Sequence, residues 1–240
     1  MRNHFLSILL GVATTVVVSA PLRAQAEAKI YEFVDGKENV NFDADALEIL
    51  KSLGLTLASV ENTAEPATGF TYAFKVVPRS SDPNVPGSTF TFSFDDVTQE
   101  FIPLQGTVDL TGSLFFNVDT TKLALPSQLE LGDLFAQPAI DLNVIDRANT
   151  GLPIFTLEPV APPDVDLENG TVTLFFNTLA SQEFSDFLVA AGASEPIAGL
   201  KLGEIRGDRN IAQVPEPSSA LAILMASAAI AVAKRHRRPA

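Results

Sequence analysis

The chain has no cysteine and no tryptophan, and its two histidines, His4 and His236, stand near the two ends. The long stretch between them therefore offers neither an imidazole nor a thiol. That excludes Ser-His-Asp and Cys-His nucleophilic catalysis and zinc sites of the usual Cys/His composition. Haem ligation by His, Cys or Met is excluded as well, since Met1 and Met225 also fall in the end segments, leaving Tyr31 and Tyr72. Disulfides cannot form, so a hydrophobic core must hold the fold alone.

Positive charge is scarce where it would matter. Setting aside Glu216 and the six basic residues of the two ends leaves 28 Asp/Glu against 10 Lys/Arg in residues 27–213, a net charge of −18, compared with −13 for the whole chain. Such a surface repels nucleic-acid phosphates and anionic lipid, so neither is an expected partner. Residues 27–213 suffice for one domain with a sizeable core, or for two small ones.

Both ends read as export signals. Arg2 opens a short positive region, Phe5 to Val18 are uncharged and apolar, and Ala24-Gln25-Ala26 places small residues where a signal peptidase reads. Cleavage is expected after Ala26, since cleavage after Ala20 would leave Pro21 directly behind the cut; residues 1–26 are then a signal peptide. At the other end, residues 214–240 comprise Val214-Pro215-Glu216-Pro217, an uncharged stretch Ser218–Ala233, and Lys234-Arg235-His236-Arg237-Arg238. Pro215 and Pro217 lack an N–H and keep the motif extended. The sixteen residues after it would give a transmembrane helix of roughly 24 Å, short of a hydrocarbon core of about 30 Å, so the anchor is weak and suits transient residence in the membrane. Lys234, Arg235, Arg237 and Arg238 should stay on the cytoplasmic side.

This order of motif, apolar span and basic cluster resembles the PEP-CTERM sorting signal of exported bacterial proteins. The resemblance implies that Pro215, Glu216 and Pro217 are recognised by an exosortase-type membrane protease and that the basic cluster orients the tail. It also implies an inner-membrane intermediate, then release to the outer surface or the medium of a bacterium that makes exopolysaccharide, the expected polymer partner. It covers the tail and the overall plan and says nothing of residues 27–213.

Within those residues the pattern is mainly period two. Phe70–Val76 and Thr89–Phe94 alternate large apolar with small or polar residues, and the turn residues Asp82–Gly87 between them suggest a long-loop hairpin. Further strands are expected at 107–110, 113–118, 140–144, 154–157 and 197–202, and a tight hairpin at 166–174 with Asn169-Gly170 at its tip. Two short helices interrupt them. Asp43 or Asp45 caps residues 46–53, which Gly54 stops; Ser181 caps residues 183–191, which Gly192 stops. Leu114-Phe115-Phe116-Asn117 echoes Leu174-Phe175-Phe176-Asn177, a weak sign of duplication. The expected fold is a mainly β, antiparallel β-sandwich-like domain with two short helices, its core including Phe70, Tyr72, Phe74, Phe90, Phe92, Phe94, Leu174 and Phe176.

No residue set marks a catalytic, cofactor or metal site. Asp95-Asp96, Asp164/Asp166/Glu168 and Asp43/Asp45 carry the oxygen ligands calcium takes, yet none follows an EF-hand loop, and caps or hairpin turns explain them. Carboxylate pairs could hydrolyse glycosides without histidine, but no spacing picks one pair out. Arg206-Gly207-Asp208 spells an adhesion tripeptide and reads as a turn before the tail. Three function classes follow: a non-enzymatic surface or matrix protein, which is the preferred reading; a glycan- or calcium-binding module; and a carboxylate-dependent hydrolase.

Overall fold

The computed structural model describes residues 28–80, 85 and 87–215. In chain order these form β1 (Lys29–Phe42), α1 (Ala44–Leu53), β2 (Leu55–Val60), β3 (Tyr72–Lys75), β4 (Thr91–Asp95) and β5 (Glu100–Gln105). Then come β6 (Val108–Asp109), β7 (Ser113–Val118), β8 (Gln128–Gly132), β9 (Phe135–Ala136), β10 (Asn143–Ile145) and β11 (Pro153–Pro159). The last are β12 (Asp164–Asp166), β13 (Thr171–Ala180), α2 (Gln182–Ala190) and β14 (Lys201–Gln213). Every strand pairing is antiparallel, and the fold is mainly β with two helices, as expected.

One large sheet runs β5-β4-β1-β14-β13-β11-β10-β9-β6, with β3 added to β1 and β12 to β13. Its far ends meet. β3 runs on to Val76, which bridges Leu110; the Val77 N–H donates to Asp109 O at 2.8 Å and the Thr111 N–H to Lys75 O at 2.9 Å. The path β1-β3-β6-β9-β10-β11-β13-β14 thus returns to β1 and curls the sheet into a barrel. The two apolar faces that a sandwich packs together are supplied here mostly by one sheet facing itself. A barrel of eight strands has an interior that side chains can just fill, or that can hold one small ligand.

The long central strands show why. Along β14, Ile205, Gly207, Arg209 and Ile211 alternate with Glu204, Arg206, Asp208 and Asn210, so period two sends one set inward. β1 places Tyr31 and Phe33 inside, then changes phase at a bulge between Phe33 and Asp35, after which Glu38, Val40 and Phe42 point in. Gly36 makes this crossing possible: at φ +148° a Cβ there would lie 2.2 Å from Asp208 O.

The two ends of the barrel differ. At the end where β1 finishes and β14 begins, α1, α2 and the small sheet β2-β7-β8 form a plug. Leu47, Leu50, Phe116, Leu131 and Phe184 pack there against Phe42, Phe155 and Leu202. At the other end the sheet stays open between β5 and β12, because β4 and β5 extend it from Lys29–Glu32 of β1 while β12 extends it from Thr171–Thr173 of β13. Both ends of the described chain lie here side by side, the Val214 N–H donating to Ile30 O at 2.9 Å.

Several local expectations need correction. The Phe70–Val76 and Thr89–Phe94 runs do not pair as a hairpin; β3 and β4 both pair with β1, at different heights. Ile140 lies in an exposed turn before β10, and β14 begins only at Lys201, because Ile197 is held by the α2–β14 connection, its N–H donating to Ser185 Oγ. Asp43 stands at the N-cap of α1 without a side-chain cap bond, whereas Ser181 accepts from the Phe184 N–H. Phe70 is outside the core, and Tyr72, Leu174 and Phe176 are half-buried at its edge. The echoing β7 and β13 segments belong to different sheets. The hairpin tipped by Asn169-Gly170 is present, with Asp166 facing Thr171. Among the described residues no helix is long and apolar enough to cross a membrane.

Candidate functional site

The open half of the barrel encloses a cavity of about 300 Å³. Phe33, Phe90, Phe101, Leu157, Leu174 and Phe176 give it apolar walls, from inward positions on β1, just before β4, and on β5, β11 and β13. Proline and the turns make the rim: Pro103 on β5, Pro138 and Leu142 beside β10, Pro159 at the end of β11, and Ala161 and Pro163 in the connection between β11 and β12. Proline suits this edge because it lacks the N–H a continuing sheet would need. A smaller void of about 40 Å³ lies deeper toward the plug and shares Glu38, Val108, Ala136 and Leu157 with the first.

One polar pair interrupts the apolar lining. Glu38 faces Gly207 in the β1–β14 register, and its Oε1 accepts from Nη2 of the buried Arg209. The Arg209 Nη1 donates to Lys37 O, and the guanidinium carbon lies 5.6 Å from the Phe33 ring centroid. Gly207 leaves the room the pair needs, since a Cβ there would sit 2.9 Å from Glu38 Oε2 and 3.4 Å from Arg209 Nη2. Among the described residues, Glu38 Oε2 and Arg209 Nε have no hydrogen-bond partner. Burial pushes the Glu38 carboxyl above the usual range, the Arg209 charge and hydrogen bond pull it down, and Asp208 pushes it up again. A buried pair with one unpaired atom on each side is poorly compensated, so stability alone is a weak reason for it. It gives an otherwise apolar cavity one point of polarity, as small-molecule sites usually have.

The residues singled out in the sequence are elsewhere. Pro215 is exposed just past β14. Glu216, Pro217, Lys234, Arg235, Arg237, Arg238, Ala24 and Ala26 lie outside the described residues, as does the 218–233 stretch. Two of the acidic groups, Asp95 and Asp166, have local structural roles. Asp95 accepts from the Val97 and Thr98 N–H groups, and Asp166 accepts from the Asn169 N–H and Nδ2, each closing its own turn. Among the described residues no cluster of three or more acidic side chains is placed to hold a metal. Arg206-Gly207-Asp208 is no turn: it lies inside β14, its arginine and aspartate paired with each other at 2.8 Å and its glycine committed to the Glu38 pair.

Glu38 and Arg209 were missed because each stands among charged neighbours. What could have found them is parity: both occupy the same alternating positions as Val40, Phe42, Ile205 and Ile211.

No family model and no curated protein matches the chain. Among solved structures it is similar to the C-terminal domain of HtaA from Corynebacterium glutamicum, at 14% identity over 76% of this chain and 99% of that one, with a TM-score of 0.44. A likeness of that size carries no argument about this chain.

Proposed function

We propose that the protein is exported, held briefly in the membrane by its tail, cut near the Pro215-Glu216-Pro217 motif, and works outside the cell as a non-enzymatic binding module for a small, largely apolar molecule. The observation that carries the binding reading is the cavity. An apolar cavity of about 150 Å³ already stays dry and takes a guest of benzene size; this one is about 300 Å³, at the lower end of small-molecule sites. Its lining suits an acyl chain or a compact ring compound better than a glycan, whose many hydroxyls would find only the Glu38–Arg209 pair as side-chain polar partners. The matrix role remains compatible with this reading, as a displayed carrier within an exopolysaccharide layer. The export half rests on the two end signals and on the exposed position of Pro215.

The test is a titration with a fluorescent acyl probe alongside thermal unfolding. Saturable binding should raise the unfolding temperature, because a ligand that binds only the folded state stabilises it. Leu174→Trp, which fills the cavity from its wall, should abolish binding while the protein stays folded. Binding unchanged in that variant would contradict the reading. For export, mass spectrometry of secreted material should find no peptide beyond Pro217, and full-length protein persisting in the membrane would sink that half.

A further inference from the structure

We infer that the open end of the barrel docks on the lipid surface to which the tail tethers it, and that the cavity takes an acyl chain from there. The inference rests on the binding reading above and names the source of its ligand.

Three segments border the cavity's open side, and each carries large apolar side chains on the surface. β5 shows Ile102 and Leu104; the turn before β10 shows Ile140, 76% exposed; the connection after β11 shows Val160, 54% exposed. Single exposed apolar residues are ordinary, but these flank the residues that line one apolar cavity, Phe101 and Pro103, Pro138 and Leu142, Pro159 and Ala161.

The place where the chain leaves the fold says what covers them. Pro215 ends the described chain at this end of the barrel, tied in through the Val214–Ile30 hydrogen bond. The uncharged stretch starts at Ser218. Three residues span at most about 10 Å fully extended. While that stretch is in a bilayer, the open end is held within this distance of the headgroups, and the plugged end, with the helices, points away. A lipid surface is therefore the apolar partner present at high local concentration before the tail is cut.

Charge narrows the lipid. Asp95, Asp96 and Glu100 stand at the β4–β5 turn, and Asp141 and Asp164 beside the other two segments. An anionic headgroup would be repelled by this rim, so docking is through apolar insertion into a zwitterionic surface and weakens as anionic lipid is added.

The chain's lack of cysteine allows one label at a time. The full-length protein is reconstituted through its tail into phosphatidylcholine vesicles with a polarity-sensitive fluorophore at Ile140→Cys. A second preparation carries the label at Val189→Cys, exposed on α2 at the plugged end. The expected result is a blue shift at 140 and none at 189, reduced by phosphatidylglycerol and partly restored by salt. Equal emission at both positions would overturn the docking. So would a blue shift at 140 in lipid-free protein, whether it grows with concentration, as for a second copy, or does not, as for the chain's own tail. Ile102→Glu with Leu104→Glu should abolish the shift while acyl-probe binding in solution persists. No shift with probe binding intact refutes docking alone. A shift at 140 without any probe uptake refutes the binding reading and leaves the docking surface standing.

Discussion

The two ends of the barrel are built from the same strands and finished in opposite ways. At the plugged end, α1, α2 and β2-β7-β8 press Phe116, Leu131 and Phe184 against Phe42, Phe155 and Leu202, leaving a gap of about 10 Å³. At the open end, side chains equally apolar surround about 300 Å³. A void of 10–15 Å³ is about the least that admits one water, so the first end is packed to native density and the second is not. A core that needed only stability would fill both. The open end also holds Glu38 and Arg209, whose pairing leaves two atoms without partners among the described residues. That difference in packing is the observation on which the proposed binding reading rests.

The largest effect should come from breaking the polar pair. Arg209→Met leaves the Glu38 carboxylate buried without its cation and should cost about 3–5 kcal/mol in urea unfolding. Combining it with Glu38→Leu should recover most of that loss, since an apolar pair of similar size is often neutral in such a place. Were the double variant as unstable as the single, the pair would be a structural necessity of the barrel rather than a feature of the cavity.

The packing contrast itself can be measured next. Phe184→Ala opens a void inside the plug and should cost about 3–5 kcal/mol. Leu174→Ala removes atoms that already border empty space, so fewer contacts are lost and the cost should be about 1–2 kcal/mol. Comparable costs at the two positions would mean that the open end is as tightly packed in solution as the plug.

How far the sequence discloses these ends depends on how local their signals are. Both helices, β7 and the hairpin around Asn169-Gly170 depend on neighbours within a few residues, and period, caps and turn residues reveal them. β1 conceals itself, because its alternation reverses at the Phe33/Asp35 bulge and no unbroken period two remains to count. β14 conceals itself because its inward set contains an arginine and a glycine, and Arg206-Gly207-Asp208 looks like a turn when read alone. The pairing of β3 and β4 with β1, rather than with each other, is a matter of register across the sheet. The site is the least visible part, since Glu38 and Arg209 meet across 171 positions of chain. A motif read along the chain needs no fold to be seen, and so the proposed sorting tail is readable where the cavity is not.

The smallest effect is on the pH dependence. Hydrogen bonds from the Thr98 and then the Val97 N–H hold the Asp95 carboxyl below the ordinary carboxylate range. A carboxyl lowered by folding adds stability above its unfolded value, and that stability is lost as pH falls through the folded value. Asp95→Asn should therefore flatten the acid limb of the stability curve slightly. Glu38 has the opposite sign, because its folded value is raised. Its contribution is full below the ordinary carboxylate range and is lost as pH rises through the raised value, so Glu38→Gln should remove a decline on the neutral side. Equilibrium unfolding at a series of pH values checks both signs, and the two variants should bend the curve at different ends.

The most direct measurement is methyl NMR of the protein titrated with a medium-chain alkyl ligand. The account predicts saturable shifts, and contacts from the ligand chain, at Leu142, Leu157 and Leu174 in the open half of the barrel, with Leu50 and Leu131 in the plug unmoved. Shifts confined to surface methyls, or no saturable change in the open half, would contradict it.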